Sequence, residues 1–190
     1  MFPLNDSEPQ NSLPFITYLI IIINMVVFFL QLTRLDPETF VQLYAFIPDR
    51  FQIGNLDSYF YVLSAMFMHG GFMHIIGNMW FLRIFGDNVE DRIGHLRFLG
   101  FYLLAGLVAT LAQYFIAPDS SIPLIGASGA VSGVIGAYFV YFKQAKVKAL
   151  IVGFGGFIDV ISLSATFFLG YWFVLQLLNS FGSLALPRGC

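Results

Sequence analysis

The stretch GASGAVSG, residues 126–133, places two serine hydroxyls among glycines at the start of a strongly apolar run. Ser128, Ser132 and Gly136 are spaced by four residues, so in a helix they form a stripe of small side chains that another helix can approach closely. Alternatively, Ser128 is a nucleophile, which requires an activating base and donors for an oxyanion nearby. The rest of the chain has to decide between packing and chemistry.

The composition is that of a membrane protein. Only 11% of the 190 residues are charged and 58% are hydrophobic, whereas soluble domains carry about 25% charged residues. The net charge of -2 is uninformative about a nucleic-acid partner, and because no basic patch is present we predict none. Cys190 is the single cysteine, so an internal disulfide is excluded.

Five stretches approach the length of about 20 mostly apolar residues that a helix needs to cross a bilayer. The predicted spans cover residues 15–32, 61–85, 96–116, 126–142 and 161–178. The N-terminus lacks the basic region and cleavage site of a signal peptide, so the first span is predicted to be retained. The long segment between the first two spans is expected outside, partly in the membrane interface.

The basic residues predict the orientation of these spans. Six of the nine lie in the loops that follow spans two and four: Arg83, Arg92, Arg97, Lys143, Lys146 and Lys148. Loops rich in Lys and Arg face the cytoplasm. We therefore expect a cytoplasmic N-terminus and, with five spans, a C-terminus outside.

Polar residues within a span are costly and tend to mark function. Span two offers His69, His74 and Asn78, of which the last two are four residues apart and share a helix face. The Gly70-Gly71 pair breaks this stretch, so His69 is expected in a loop or the first turn and not on that face. One interpretation is a hydrogen-bonded pair between helices, which stabilises a bundle by about 1 kcal/mol. The other follows from depth, because the orientation above places His74 and Asn78 level with Ser128. A hydroxyl facing an imidazole and an amide is a nucleophile beside oxyanion donors.

Other kinds of site are disfavoured. A metal site is not predicted, because His69 and His74 lack the i, i+4 spacing of helical zinc ligands and no Cys or carboxylate lies near them. The charged cluster at the end of span two is interpreted as a solvated, ion-paired rim of structural importance. It consists of Arg83, Asp87, Glu90, Asp91 and Arg92.

Two motifs together resemble the rhomboid family of intramembrane serine proteases. The family's second span, with two histidines, an asparagine and a following glutamate, is similar to HGGFMHIIGNMWFLRIFGDNVEDRIGHLRF, residues 69–98. The family's Gly-x-Ser-Gly nucleophile motif is similar to GASGAVSG. The resemblance extends from about residue 15 to residue 186.

The resemblance implies an all-α, polytopic helical bundle that forms a single membrane domain over residues 1–190. It implies Ser128 as the nucleophile, with His74, Asn78 and the Ser128 N–H as oxyanion donors. Substrates would be membrane-anchored proteins, cleaved in or near their transmembrane helix within the bilayer. No metal or organic cofactor is implied, and the short chain favours a bacterial plasma membrane.

Further residues receive supporting roles from the resemblance. Glu90 would tie helices together at the cytoplasmic end, and a glycine face on span four would pack against the helix that carries the base. The supporting residues are His69, Gly126, Gly129 and Glu90, with Gly133 and Gly136 completing the glycine face.

The sequence departs from the family in two places. Phe60-Tyr61 stands where the family often has a Trp-Arg pair. More seriously, the family's base is a histidine in a sixth helix, whereas no histidine follows Ser128, and His95 is expected about 30 Å away across the bilayer. We therefore expect a C-terminally incomplete domain with little activity. A non-catalytic rhomboid-like protein that binds transmembrane clients is the alternative. That reading, and a channel or transporter, are disfavoured by the intact Ser128 motif.

Overall fold

The computed structural model describes residues 1–33, 36–152 and 158–174, apart from the side chain of Val152. These residues form two compact units. One unit runs from Gln10 to Tyr138 and contains every predicted site residue. The other combines Met1–Pro9 with the described residues from Phe139 onward. The predicted C-terminal position of Cys190 lies outside the described residues.

The chain is mostly helical, as predicted. The helices are α1 (Phe15–Thr33), α2 (Pro37–Tyr44), α3 (Leu56–Ala65), α4 (Phe72–Ile93), α5 (His95–Ile116), α6 (Ser128–Tyr141) and α7 (Ala165–Val174), with a 3-10 turn at Pro48–Arg50. The long segment after the first predicted span is therefore largely helical. Asp36 begins α2 by accepting hydrogen bonds from two backbone amides of its first turn.

α1 packs on α4 and α5 in the larger unit. The approach of α4 is close at Gly86, where an added Cβ would lie 3.2 Å from Thr17 Oγ1. α4 ends at Gly94, whose φ of 88° lies in the region that glycine tolerates best, and α5 starts at the next residue. The two helices therefore follow each other along the chain with a single residue between them.

The predicted span over residues 61–85 contains parts of two helices, with the Gly70-Gly71 break between them. α3 and α4 share this stretch, and the chain between them turns at Met66–Gly71. Gly71 precedes α4 and has an extended backbone. Glycines disfavour a continuous helix because they lose more conformational entropy than other residues when the backbone is fixed. His69 therefore lies in the connection between the helices, whereas His74 and Asn78 lie on α4.

α6 packs against α5 through small residues. An added Cβ at Gly129 or Gly133 would lie 2.5 Å from the Cβ of Ala109 or Ala105 respectively. The glycine face expected to meet a later helix is thus used on α5. An added Cβ at Gly136 would meet no heavy atom within 4 Å.

The smaller unit contains a three-stranded antiparallel sheet in the order β1 (Phe2–Asp6), β2 (Lys146–Val152), β3 (Ile158–Ser164). This sheet corrects the all-α prediction. β2 alternates between exposed lysines and buried Val147 and Ala149, which is the period of a strand and not of a helix. The last predicted span, 161–178, likewise begins in β3, continues in α7 and extends outside the described residues.

Among the described residues two helices, α1 and α5, are long and apolar enough to cross a membrane, while α6 and α7 are apolar but shorter. The number of five spans therefore remains a prediction.

Candidate active site

Ser128 is the first residue of α6 and is exposed. The first amides of a helix have no intrahelical acceptor and form the positive end of its dipole, so the Ser128 N–H is suited to binding an anion. The approach to Ser128 is fixed by main-chain bonds, since Leu124 N–H donates to Phe46 O at 2.8 Å and Gly126 N–H donates to Ala65 O at 2.9 Å. The loop that leads to Ser128 is thus fixed by hydrogen bonds to other parts of the chain.

Gly126 brings the Ser128 hydroxyl and the His74 ring together. Its φ is +126°, a conformation that side chains rarely adopt. A Cβ built there would lie 2.8 Å from both Cε1 and Nε2 of His74 and 3.7 Å from Ser128 Oγ. Only glycine leaves this space open, so the residue before the nucleophile motif's alanine permits the contact between α4 and the start of α6.

The hydrogen bonding of His74 determines what its ring can do. Gly70 N–H donates to His74 Nδ1 at 3.5 Å. An amide N–H can only donate, so the neutral ring carries its proton on Nε2, the nitrogen that faces Gly126. His74 therefore presents a donor on the side of Gly126, which suits stabilising an oxyanion and does not suit accepting the serine proton.

Asn78 is oriented by His69. Its amide Nδ2 contacts His69 Nε2 at 3.1 Å, and both side chains are buried. Since the amide group donates, Nε2 accepts and the His69 proton is on Nδ1, a buried atom with no hydrogen-bond partner among the described residues. The rings of His69 and His74 meet edge to face with centroids 5.1 Å apart.

Gln31 holds His69 in place, and the sequence analysis missed it. The Gln31 side chain donates to His69 O at 2.8 Å and accepts from His69 N–H at 3.3 Å, and it is buried in α1. The signal in the sequence was an amide in an apolar span that also contains Asn24. Because its partner is main chain 38 residues away, no side-chain pattern identified that partner.

A cavity of about 230 Å³ adjoins Ser128. Its lining includes Thr110 and Gln113 of α5, Ile125 and Gly129. The two polar residues were not singled out from the sequence. Thr110 and Gln113 therefore provide polar groups in the cavity beside Ser128.

Glu90 lies at the opposite end of α4 and is fully buried. Its carboxylate accepts from Ile16 N–H at 2.8 Å, and from both Thr17 N–H and Thr17 Oγ1 at 2.7 Å, which caps the start of α1. His95 Nδ1 also contacts it. The interpretation as a solvated, ion-paired rim is therefore wrong for Glu90, whose partners are mainly the backbone and hydroxyl of another helix.

Comparison with known proteins assigns the chain to a family. A family model described as "Rhomboid domain" matches residues 57–185, which include both motifs. The chain belongs to the rhomboid family. The members of this family are integral membrane proteins, and the predicted family is thereby confirmed.

Individual rhomboid relatives come from bacteria and plants. "Rhomboid protease GluP" of Bacillus subtilis is 29% identical over 175 residues, covering 92% of this chain and 33% of that protein. "RHOMBOID-like protein 5" of Arabidopsis thaliana is 33% identical over 76 residues, covering 40% of this chain and 25% of that protein. "Rhomboid-like protein 11, chloroplastic", also of Arabidopsis thaliana, is 34% identical over 80 residues, covering 42% and 28%. This rhomboid chain thus spans a third or less of the length of these relatives.

Proposed function

We propose that the protein is an intramembrane serine endopeptidase in which Ser128 attacks a peptide bond in or near a substrate's transmembrane helix. The observation that carries the proposal is the convergence of the Ser128 hydroxyl and the Nε2 edge of His74 on Gly126. A packing stripe needs small residues, but it does not need an imidazole N–H beside one of its hydroxyls. Family membership supports the same chemistry.

In the proposed reaction Ser128 Oγ bonds to the carbonyl carbon and its proton passes to a base. The negative oxygen of the tetrahedral intermediate accepts from His74 Nε2–H, Asn78 and the Ser128 N–H. The intermediate collapses as the peptide C–N bond breaks, and the amine leaves with the proton that the base returns. Water then attacks the acyl-enzyme and gives a proton to the base. The bond between the acyl carbon and Ser128 Oγ breaks, the base returns the proton to Oγ, and the carboxylic acid is released.

The base is the component that the chain's three histidines do not supply in this proposal. His69 and His74 are engaged as described above, and His95 follows α4, whose 22 residues extend about 33 Å. The family resemblance assigns the base to a histidine that follows the serine. A serine without a base in hydrogen-bond reach is a poor nucleophile.

Chemical rescue with imidazole tests the proposal on the purified 190-residue protein. A fluorophosphonate probe should label Ser128 slowly, and imidazole should accelerate labelling about tenfold or more, since a general base contributes roughly 100-fold upwards when well placed. Ser128→Ala should remove labelling, and Asn78→Ala should slow it by about 100- to 1000-fold at most. Ser132→Ala, one turn away on α6, is the matched control and should label normally. Equal labelling of wild type and Ser128→Ala contradicts the assignment.

A second candidate is a non-catalytic protein that binds transmembrane helices. The exposure of Ser128, Ser132 and Gly136 along one side of α6 favours it, because a small-residue stripe admits a helix closely. A photo-crosslinker at Gly136 should then capture a transmembrane peptide equally in wild type and Ser128→Ala. Under this candidate imidazole would have no effect on labelling of Ser128.

The proposed location is the bacterial plasma membrane with a cytoplasmic N-terminus. Support comes from the family and from the lysines and arginines that follow the second and fourth predicted spans. With five spans Cys190 faces outward, so a membrane-impermeant thiol reagent should label it in intact cells. Protection of Cys190 until lysis would contradict the orientation or the number of spans.

A further inference from the structure

A second cavity, of about 250 Å³, lies in the segment between the first two predicted spans. It is lined by α2, the Pro48–Arg50 turn and α3, at a distance along the chain from both catalytic motifs. Cavities that enclose a drug-sized ligand start at about 300 Å³. This cavity therefore has room for part of a molecule.

The cavity is preformed by aromatic packing. Phe46 is buried in a cluster with Val62 and Ala65, and its ring meets Phe51 edge to face with centroids 5.3 Å apart. Ser64 Oγ donates to Tyr44 O at 2.6 Å and ties the end of α2 to α3. An apolar ligand would thus enter a fixed space lined by Phe46 and Phe51.

The cavity has one cationic lining residue, Arg50. Its guanidinium donates to Gln42 Oε1 at 3.0 Å and to Gln42 O at 3.4 Å. Among the residues that the structure describes, Arg50 makes no ion pair with a carboxylate. A guanidinium bonded to neutral oxygens retains both charge and donors for an anionic group such as a phosphate.

Three exposed apolar side chains lie within a few residues of the lining residues along the chain. Ile53 is 71% exposed, Leu56 85% and Phe60 53%. Exposed apolar patches of this kind mark contact with a membrane or a partner. In a member of an integral membrane family, lipid at the bilayer interface is the partner that supplies apolar chains beside anionic phosphates.

We propose that this cavity binds a phospholipid of the bilayer, with the phosphate on Arg50 and part of an acyl chain against Phe46 and Phe51. The site is separate from Ser128 and the proposal does not depend on proteolysis. Arg50 is exposed, so alone it would bind free phosphate only weakly, and the apolar lining alone would not select a headgroup. Their combination selects a molecule that carries both.

Native mass spectrometry of the 190-residue protein in a neutral detergent tests the proposal. Short-chain phosphatidylglycerol is titrated into wild type, Arg50→Gln and Arg50→Lys, with the corresponding diacylglycerol and inorganic phosphate as separate arms. Loss of a charge-assisted hydrogen bond should weaken phosphatidylglycerol binding about tenfold or more in Arg50→Gln, with Arg50→Lys intermediate. Diacylglycerol should bind weakly, and inorganic phosphate should not compete.

Two further variants separate the site from general adsorption of lipid. Lys148→Gln removes an exposed charge from β2 and should bind phosphatidylglycerol like wild type. Leu43→Trp places a large side chain on an exposed lining residue and should weaken binding while the charge stays. Unchanged binding in Arg50→Gln overturns the proposal, as does competition by inorganic phosphate, which would indicate a site for free anions.

Discussion

The polar residues at the two ends of α4 differ in how fully they are hydrogen-bonded. At one end the Glu90 carboxylate is fully buried and receives hydrogen bonds from the backbone and hydroxyl of α1. At the other end His74 presents an N–H beside the exposed Ser128, and His69 Nδ1 is buried with no partner among the described residues. The Glu90 carboxylate thus has several hydrogen-bond donors around it, whereas the Ser128 end has N–H groups that can donate to an incoming acceptor.

This difference separates stability from chemistry. A buried charge is tolerated when its hydrogen bonds are complete, and such a group then holds helices in one arrangement. A site that must bind a transient oxyanion needs donors that have no acceptor in the resting protein. Changes at the Glu90 end should therefore affect unfolding first, and changes at the Ser128 end should affect reactivity first.

Glu90→Ala is expected to have the largest effect on stability. It leaves Ile16 N–H and both Thr17 donors without their acceptor in a buried place, so we expect a loss of about 3–5 kcal/mol in the free energy of unfolding. Denaturant titration in detergent, followed by circular dichroism, measures this loss. Glu38→Ala, on the exposed side of α2, should change stability by about 0.5 kcal/mol at most. Equal stability of the two variants would refute the conclusion that Glu90 stabilises the packing of α1 on α4.

Gly126→Ala tests the other end of α4. The added methyl group meets the His74 ring at 2.8 Å and the backbone has a positive φ, so a cost of about 1–3 kcal/mol is expected. Imidazole-dependent labelling of Ser128 should be lost because His74 is displaced. Gly77→Ala, on the same helix as His74 with nothing within 4 Å of the new Cβ, should keep labelling. Normal labelling in Gly126→Ala would show that the His74 contact is unnecessary.

Gln31→Met tests whether the Ser128 end is held from a distance. The variant keeps the length of the side chain but removes both hydrogen bonds to the His69 main chain, which should cost about 1–3 kcal/mol. Through His69 it should loosen Asn78 and slow the labelling of Ser128. Thr33→Val removes a bond to the same helix, at Phe29 O, and should change neither quantity appreciably. Labelling that is slower than in wild type under conditions where both proteins remain folded would show that Gln31 positions the site. Labelling at the wild-type rate under those conditions would mean that Gln31 contributes to stability alone.

Long uniform stretches were predictable from the sequence. α1 covers the predicted span 15–32 and α5 covers 96–116, because a continuous apolar run determines a helix without reference to its neighbours. The two motifs likewise led to residues that meet at Gly126. The division of span 61–85 was less predictable, since hydropathy does not distinguish one helix from two joined by glycines.

Interactions with backbone atoms were the least predictable. The partners of Glu90 are amides of α1, which every sequence possesses, so the charge pattern alone placed Glu90 in a charged rim. Only the family resemblance implied that Glu90 ties helices together. The sheet was missed for a different reason. The alternation of Lys146 and Lys148 with Val147 is a strand signal, but it was interpreted only as positive charge in a loop.

Asp91 is expected to give the smallest effect, visible as a dependence of stability on pH. It adjoins Glu90 but is not fully buried, and hydrogen bonds from Ser12 and Asn11 hold the pKa of its carboxyl below the ordinary value. Because the folded pKa is the lower one, this contribution is present above the unfolded pKa of about 3.9 and is lost as the pH falls through the folded pKa.

Unfolding of wild type and Asp91→Asn should therefore be measured from neutral pH down into the acid range. The difference in stability between them should be constant at neutral pH and shrink below about pH 4, as the carboxyl becomes protonated first in the unfolded chain and then, at lower pH, in the folded protein. Ser12→Ala, which removes the hydroxyl donor, should move the loss to higher pH. A difference that stays the same down to the acid limit would mean that Asp91 contributes no charge-dependent stability.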